Sequence, residues 1–507
     1  MVQRASGMRG VEALKDDARD LPWKIPGDIA AYPSSEVEGK DAVFLLARKG
    51  KEKLLVVRSR SEGTLASFQG ETLRQKDGFL KLCPLSHANA VALRKALPEL
   101  GPKLVGLRTS VGLGDRLGLA TPGHIRAVRG TGVFPVLAQQ SVREMSRTGR
   151  TPEQVLDDAT WGALQEGWTE GFGADADHLK TLKDIDSCAR AGFVMYTLDP
   201  SEYVDDSAGS CDVGTLVTKY EALPWDRLES RPEDMRRMYC GRSFQAGPFV
   251  WVLSEETFLR AAVKYGRAIA HTVEMYRHLS DKVEEYELEI SVDETSSPTT
   301  PEEHIFVASE LTRLEVRWTS LAPRFVGEFQ KGVDYIGDLD EFREQFRRHM
   351  AVARKFGPYK LSIHSGSDKF SIYPVAAEES EGLVHLKTAG TSYLEALRAV
   401  FELSPELFRD IVALALEHYP QDRASYHVTA DPSRVPDPKT ASYEALRGLL
   451  DDFHGRQILH VTYGSVLERF GERLKEVLEE GEEVYYGMLE AHLGRHIIPF
   501  SAEGGGA

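Results

Sequence analysis

Short apolar runs separated by longer amphipathic stretches set the rhythm of the chain from residue 104 onward. The runs fall at 104–107, 133–138, near 167–174, and at 193–198, 286–292, 321–326, 359–363 and 383–386. Each is short enough for a buried strand. Helical spacing fills the intervals, for example 152–165 after the second run and 339–356 after the sixth. Strand–helix alternation predicts a parallel sheet, and eight such units closing on themselves predict a (β/α)8 TIM-type barrel. An open doubly wound sheet is the competing arrangement. One interval is overlong: residues 201–285 carry two or more helices, including 255–283, and read as a helical insertion after the fourth strand.

The flanks follow a different pattern. A polar leader runs to about residue 30, β-like runs follow at 42–47, 54–57 and 79–83, and helical spacing spans 85–100 through Ala88, Val91, Leu93 and Leu97. This predicts a small α/β N-terminal domain over 1–103, ahead of the barrel at 104–395. Residues 396–507 read as a helical extension, with helices expected at 392–403, 405–418, 443–453 and 466–492.

Polar residues able to ligate or move protons gather at the C-terminal ends of the runs. They include Asp115 and Arg116, the block Gln139-Gln140-Ser141, the block Asp175-Ala176-Asp177-His178, Asp199, Asp293-Glu294, Glu328, His364 to Lys369, and His385 with Lys387. In a parallel barrel these ends share one mouth, where barrel enzymes place their chemistry. Strand alternation puts Glu289, Ser291 and Asp293 on one face, and likewise Arg324 with Val326 and Glu328, Ser362 with His364, and His385 with Lys387.

Two imidazoles and a carboxylate with open positions suit a divalent ion and a substrate together, and His178, Glu328 and His364 form such a set. Asp177 and Asp293, from different strands, are placed to move protons on opposite faces of a substrate. Arg116, Arg324, Lys369 and Lys387 are candidates to hold an anionic group; Gln140 and His385 complete the substrate-contacting candidates. Each has a plainer reading. Asp-x-Asp-His can cap a helix, His364 can be structural, Asp293-Glu294 can open a turn, and Arg324 can pair with Glu328. The helical tail is placed to close over the mouth, with His427 and His460 in polar, aromatic blocks where a structural role competes.

Composition narrows the classes. The chain has 507 residues, 42% hydrophobic and 28% charged, with 62 Lys+Arg against 78 Asp+Glu for a net charge of −16. Apolar content excludes disorder as the main state. The acidity, without a basic stripe, argues against nucleic acid as a partner. No apolar window of about 18 residues exists, and Met1-Val2-Gln3-Arg4 lacks a signal core. Cys83, Cys188, Cys211 and Cys240 are scattered, without a C-x-x-C pair. A cytoplasmic protein with reduced thiols and no membrane partner is expected; a homo-oligomer is compatible with it. The final Gly504-Gly505-Gly506-Ala507 reads as a frayed end. Val111-Gly112-Leu113-Gly114-Asp115 lacks the spacing and lysine of a phosphate loop, and G-x-S-x-G and H-E-x-x-H are absent.

Longer blocks carry a family resemblance. They are Thr121-Pro122 with His124; Ala138-Gln139-Gln140-Ser141-Val142-Arg143-Glu144; Leu156-Asp157-Asp158-Ala159-Thr160-Trp161-Gly162; and Gly171-Phe172-Gly173-Ala174-Asp175-Ala176-Asp177-His178. Ser291-Val292-Asp293-Glu294-Thr295, Arg324-Phe325 with Gly327-Glu328, and His364-Ser365-Gly366-Ser367-Asp368-Lys369-Phe370 follow. Lys387-Thr388-Ala389-Gly390-Thr391-Ser392-Tyr393 and His460-Val461-Thr462-Tyr463-Gly464 complete them. Over residues 105–496 the chain resembles the tagaturonate epimerases (tagaturonate/fructuronate epimerases) of hexuronate catabolism; the first 100 residues resemble them weakly.

The resemblance implies interconversion of D-tagaturonate and D-fructuronate with one divalent metal ion, whether Zn, Mn, Co, Ni or Fe. It implies Asp177 as proton acceptor, Asp293 as proton donor, and His178, Glu328 and His364 as metal ligands, with Glu294 and His385 as substitutes. The inverted carbon is one removed from the carbon beside the ketone, so its hydrogen is not directly acidified. Metal-assisted retro-aldol cleavage and proton-transfer chemistry are both open. The alternative function is a neutral ketohexose 4-epimerase (tagatose/fructose) on the same scaffold. A third reading is a sugar-acid binding protein without turnover, against which Asp177 and Asp293 speak.

Overall fold

The computed structural model describes residues 25–501. Most of the polar leader and the Gly504–507 tail lie outside the described residues. The N-terminal part is a mostly antiparallel sheet of β1 (Ile29–Ala31), β2 (Val37–Glu38), β3 (Val43–Lys49), β4 (Glu52–Ser59), β5 (Glu71–Gln75) and β6 (Gly78–Pro84), followed by the helix His87–Ala96. The order is β1-β3-β4-β6-β5, with β2 beside β3. β4 reads as a continuous apolar run because both its faces are covered. Leu55 and Val57 join the main core, while Val56 packs with Leu45 and Leu80 behind the sheet. Polar clamps tie this unit down: Lys53 Nζ donates to Gln165 Oε1 at 2.8 Å, and Tyr32 Oη donates to Glu482 at 2.8 Å.

Eight parallel strands then close into a barrel: β7 (Ser110–Gly112), β8 (Phe134–Ser141), β9 (Gly173–Leu179), β10 (Met195–Leu198), and, after an antiparallel hairpin of β11 (Arg242–Ala246) and β12 (Phe249–Leu253), β13 (Glu287–Val292), β14 (Ser320–Pro323), β15 (Lys360–Ile363) and β16 (Val384–Lys387). β16 pairs with β7, so the sheet has no edge. The open-sheet alternative is therefore excluded.

Three strands differ from the apolar runs. Residues 104–107 form a turn with Leu104 and Leu107 exposed, and β7 starts only at Ser110. β9 begins where the third run ends, and its sequence is largely polar because Asp175 and Asp177 point into the barrel. β14 stops at Pro323, which has no N–H to continue a ladder, so the alternation extended to Glu328 does not apply there. The insertion contains helices at Val213–Glu221 and Pro232–Tyr239, but also the β11–β12 hairpin, before the 28-residue helix Glu255–Lys282.

The helical tail packs on the barrel's first helix. A Cβ on Gly123 would lie 2.7 Å from Leu489 atoms, so glycine sets that close approach. Two long expected helices are each broken. Asp452 caps Phe453–Val461 separately from Tyr443–Gly448, and Gly481 divides Tyr463–Glu480 from Glu482–Ile497. Among the described residues, no helix is long and apolar enough to cross a membrane. All four cysteines are free.

The barrel interior is polar. Asp175, Thr197, Glu289, Ser362, His385 and Lys387 are buried on its inward face. Lys387 Nζ lies 2.8 Å from Asp175, 2.6 Å from Asp177 and 2.7 Å from Glu289, and donates to Thr197 Oγ1 at 2.7 Å. Burial would lower the Lys387 pKa, but the three carboxylates outweigh it and hold it well above the usual lysine value. One ammonium thus neutralises part of a carboxylate cluster that could not otherwise stay desolvated.

Candidate active site

A cavity of about 290 Å³ opens at the C-terminal mouth of the barrel. Its floor begins with Asp177 and His178 at the end of β9. Strict alternation would send these neighbours to opposite sides. Instead the pairing of β9 with β10 slips: Tyr196 faces Ala176 and Leu198 faces Leu179, so two residues oppose one. This bulge lets both side chains reach the mouth. His178 takes φ +54°, a left-handed conformation costing roughly 1–3 kcal/mol for such a residue. Its Nδ1 is hydrogen-bonded to Asp177 Oδ1 at 2.8 Å, which fixes the ring.

His364, just beyond β15, is oriented by a second carboxylate. Its Nε2 lies 2.7 Å from Glu289 Oε1. Its Nδ1 lies 3.0 Å from Asp293 Oδ1, yet this buried nitrogen makes no hydrogen bond of acceptable geometry. Ser291 Oγ donates to Asp293 Oδ1 at 2.6 Å. The two imidazole rings of His178 and His364 are 4.9 Å apart.

Charge follows from this crowding. Burial would raise the Asp293 pKa, but His364 and His178 outweigh it and hold it below the usual carboxylate range. Burial would likewise raise Asp177, but His178 and Lys387 hold it well below. Burial would lower His364, but Asp293 and Glu289 push it up to about 10. Both carboxylates are therefore ionised at neutral pH.

Ligand atoms of His178, Asp293 and His364 all lie within 4.8 Å of one another. Each imidazole has one nitrogen on a carboxylate, and the second nitrogen of His364 lies beside Asp293. That is the orienting pattern of metal-binding histidines. Two other groups come close but are satisfied differently. In Asp368–His492–His496, His496 Nε2 accepts from the Asp368 N–H at 2.9 Å, its Nδ1 bonds the His492 carbonyl at 3.1 Å, and Arg456 pairs with Asp368 at 2.8 Å. In His178–Asp199–Glu294, the Lys180 ammonium already stands 3.4 Å from Asp199 and 4.0 Å from Glu294.

The structure brings Asp177, His178, Asp293, His364 and Lys387 together. Glu328 is not among them. It sits on the loop after β14, 43% exposed, against His427 Nε2, and Asp293 occupies the carboxylate position beside the imidazoles. Gln140 faces away from the cavity and accepts from Arg150 at 2.8 Å; the inward neighbour is Gln139, which donates to Asp177 at 3.0 Å. Lys369 turns from the cavity to donate to the carbonyls of Gln330, Val333 and Ser367, and burial brings its pKa down to about 7. His385 lies below the floor, bonded to Ser110 at 2.9 Å, with its pKa lowered by burial to about 3. Arg116 lines the wall but is paired with Glu144 at 2.7 Å and lies over the Tyr463 ring. Arg324 and Glu294 line the mouth.

Sequence reasoning placed Gln139 at the mouth but singled out Gln140 instead, and did not single out Arg143 or Lys331 as cavity-lining residues. Parity along β8 marks Gln139 once the inward face is known, and Arg143 stands in the block shared with the resembled family. His427 and His460, noted for their polar and aromatic surroundings, both line the cavity from the helical tail, with Tyr426.

Comparison with known proteins gives consistent matches. A tagaturonate epimerase family model matches residues 32–499. The chain is 45% identical over 468 residues to the tagaturonate/fructuronate epimerase of Thermotoga maritima, covering 92% of this chain and 96% of that one. The native crystal structure of fructuronate-tagaturonate epimerase UxaE from Cohnella laeviribosi superposes with a TM-score of 0.87 at 39% identity, covering 94% of this chain and 97% of that one. The same enzyme with two glycerols gives 0.88 at 37%, covering 97% and 99%.

Proposed function

Since the chain belongs to the tagaturonate epimerase family, and is thus an isomerase, we propose that it interconverts D-tagaturonate and D-fructuronate in a metal-dependent reaction at the barrel mouth. One observation carries the metal part of this reading: two imidazoles, each held at one nitrogen by its own carboxylate, stand with Asp293 so that ligand atoms of the three lie within 4.8 Å of one another. His178, His364 and Asp293 would hold the ion. Glu328, engaged by His427, stands outside this set. When bound, a divalent ion there supplies Lewis-acid polarisation of the sugar's oxygens.

The chain's own groups then divide the work. Asp177 is ionised and supported by Lys387 at 2.6 Å, so it accepts a hydroxyl proton from the substrate. The inverted carbon carries a hydroxyl but no acidified hydrogen, which favours cleavage of the bond between it and the carbon nearer the ketone. The resulting aldehyde turns over, and its oxygen then faces the opposite wall. Asp293 and Glu294, just beyond β13, line the cavity together with Asp177. The proton that Asp177 accepted returns to the new hydroxyl when the bond reforms; Asp293, ionised at rest and assigned to the ion, has none of its own to give. The enclosure built by Tyr426, His427 and His460 keeps the fragment from leaving before the bond reforms.

Metal-stripped protein, reloaded with single divalent ions and given D-tagaturonate, tests this. Metal-dependent formation of D-fructuronate is expected. Binding of the uronate without conversion under every ion would remove the epimerase reading.

A further inference from the structure

The sugar acid needs a partner for its carboxylate, and the expected anchors are spent. Arg116 is neutralised by Glu144, Lys387 by three carboxylates, and Lys369 points elsewhere. Three other cations line the cavity: Arg143, Arg324 and Lys331. None of the three makes an ion pair among the described residues. Lys331 is half-buried, and its ammonium donates to the Ser365 hydroxyl at 2.6 Å. Arg324 is half-buried just after β14, and the more exposed Arg143 lies 5.1 Å from the Tyr426 ring centroid.

We propose that Lys331, Arg324 and Arg143 form the subsite that grips the substrate's carboxylate, and that they set the preference for a uronate over a neutral ketohexose. This rests on the epimerase reading above. The cavity is lined by His178, His364, Asp177 and Asp293 and also by these three cations, none of which sits in an ion pair with the lining residues Glu144 and Glu294. In a protein with 78 acidic and 62 basic residues, three cations without an ion pair around one small cavity are out of keeping with the whole. Like charges held together in a partly dry space repel, and an incoming carboxylate relieves that repulsion. Burial, reinforced by the neighbouring Arg143 charge, outweighs Glu294, Asp293 and Glu144 and lowers the Lys331 pKa. A neutral sugar with a hydroxymethyl group in place of the carboxylate would leave the three cations unmatched. Selectivity thus comes from an unfilled requirement of the site as much as from attraction to the right substrate.

The test compares Lys331→Met, Arg324→Met and Arg143→Met with wild type. The readouts are KM and kcat for D-fructuronate and the inhibition constant of D-tagatose against its turnover. The Met side chain keeps the apolar stem, and Lys331→Arg keeps the charge. For Lys331→Met, the uronate KM should rise about 10- to 100-fold, the range for a lost charged hydrogen bond, with a much smaller change in kcat. The D-tagatose constant should shift by less than about 3-fold, and Lys331→Arg should restore most of the uronate affinity. An unchanged uronate KM in all three Met variants, or parallel losses for both sugars, would overturn the subsite. If wild type converts no uronate, the epimerase reading fails first. Calorimetric titration of the same variants with D-tagaturonate and D-tagatose then decides the subsite separately: loss of uronate binding alone supports it, and equal binding overturns it.

Discussion

His364 presents Nδ1 to Asp293 at 3.0 Å and Nε2 to Glu289 at 2.7 Å, so one ring bridges a carboxylate at the mouth and a carboxylate inside the barrel. Glu289 in turn contacts Lys387, which contacts Asp177, which orients His178. The polar barrel interior is therefore the support that aims both imidazoles. The usual aliphatic filling of such a barrel would give no handle on either ring.

Metal binding should depend on this support. His364→Gln and Asp293→Asn remove proposed ligands and should lower the bound divalent ion, measured by elemental analysis after gel filtration, to well below one equivalent. Glu289→Gln leaves all three ligands but loosens a ring, and should weaken metal affinity by about 10- to 100-fold. Glu328→Gln should retain the ion. Loss of the ion in Glu328→Gln, with Asp293→Asn unaffected, would move the carboxylate ligand from Asp293 to Glu328.

Asp177→Asn should separate turnover from binding. The amide oxygen still accepts from Lys387 and the Gln139 amide can turn to accept from the new NH2, but the side chain cannot take a proton, and a general base of this type contributes about 10²- to 10⁴-fold. The expected result is a fall in kcat of that order, with D-tagaturonate binding changed by less than about 5-fold in calorimetric titration and metal content kept. Unaltered kcat would remove Asp177 from the chemistry and leave it as the residue that positions His178.

The barrel and the gathering of His178, His364, Asp177 and Asp293 were legible because strand ends converge whatever their order in the chain. The helices 152–165 and 339–356 fell where their spacing put them, since a capped amphipathic stretch carries its own boundaries. The differences between expectation and structure have local causes. The β9 bulge depends on pairing with β10, and pairing is not written in either strand alone. Gln140 was chosen over Gln139 because parity needs a reference residue whose face is known. Glu328 was placed by an alternation that ends at Pro323. Lys331 lies on the loop after β14 and Tyr426 on the helical tail, both outside any strand end, so strand alternation does not mark them as cavity residues.

Acid should release the helical tail through Asp368. Burial would raise its pKa, but Arg456, His492 and His496 outweigh this and hold it far below the usual carboxylate range. The folded state thus keeps Asp368 ionised where the unfolded chain, with a pKa of about 4, takes up a proton. Below about pH 4 the unfolded state binds more protons, so this contribution is fully present above that pH and declines as pH falls further. Asp368→Asn should flatten the pH dependence of the melting temperature between about pH 2 and 5. At neutral pH it should cost about 3–5 kcal/mol, because Arg456 is left buried without its partner. An unchanged acid slope in the variant would show that other carboxylates govern acid unfolding.

Gly390 joins the barrel to the tail, and its replacement should strike the site from behind. It has φ +95°, and a Cβ there would lie 2.1 Å from His460 Nε2. Gly390→Ala therefore combines backbone strain of about 1–3 kcal/mol with a collision that the buried His460 ring has no room to avoid. His460 forms part of the cavity wall, and its backbone carbonyl accepts from Arg116 at 3.3 Å, so the displacement reaches the wall directly. The expected outcome is a lower melting temperature together with a raised KM for D-tagaturonate, while bound metal stays near the wild-type level because His178, Asp293 and His364 lie on other elements. Gly132→Ala is a matched control for left-handed backbone strain, since Gly132 has φ +77° and open space around its Cβ position. It should lower the melting temperature and leave KM unchanged. Equal effects of the two substitutions on KM would show that strain alone, and not contact with His460, accounts for the loss.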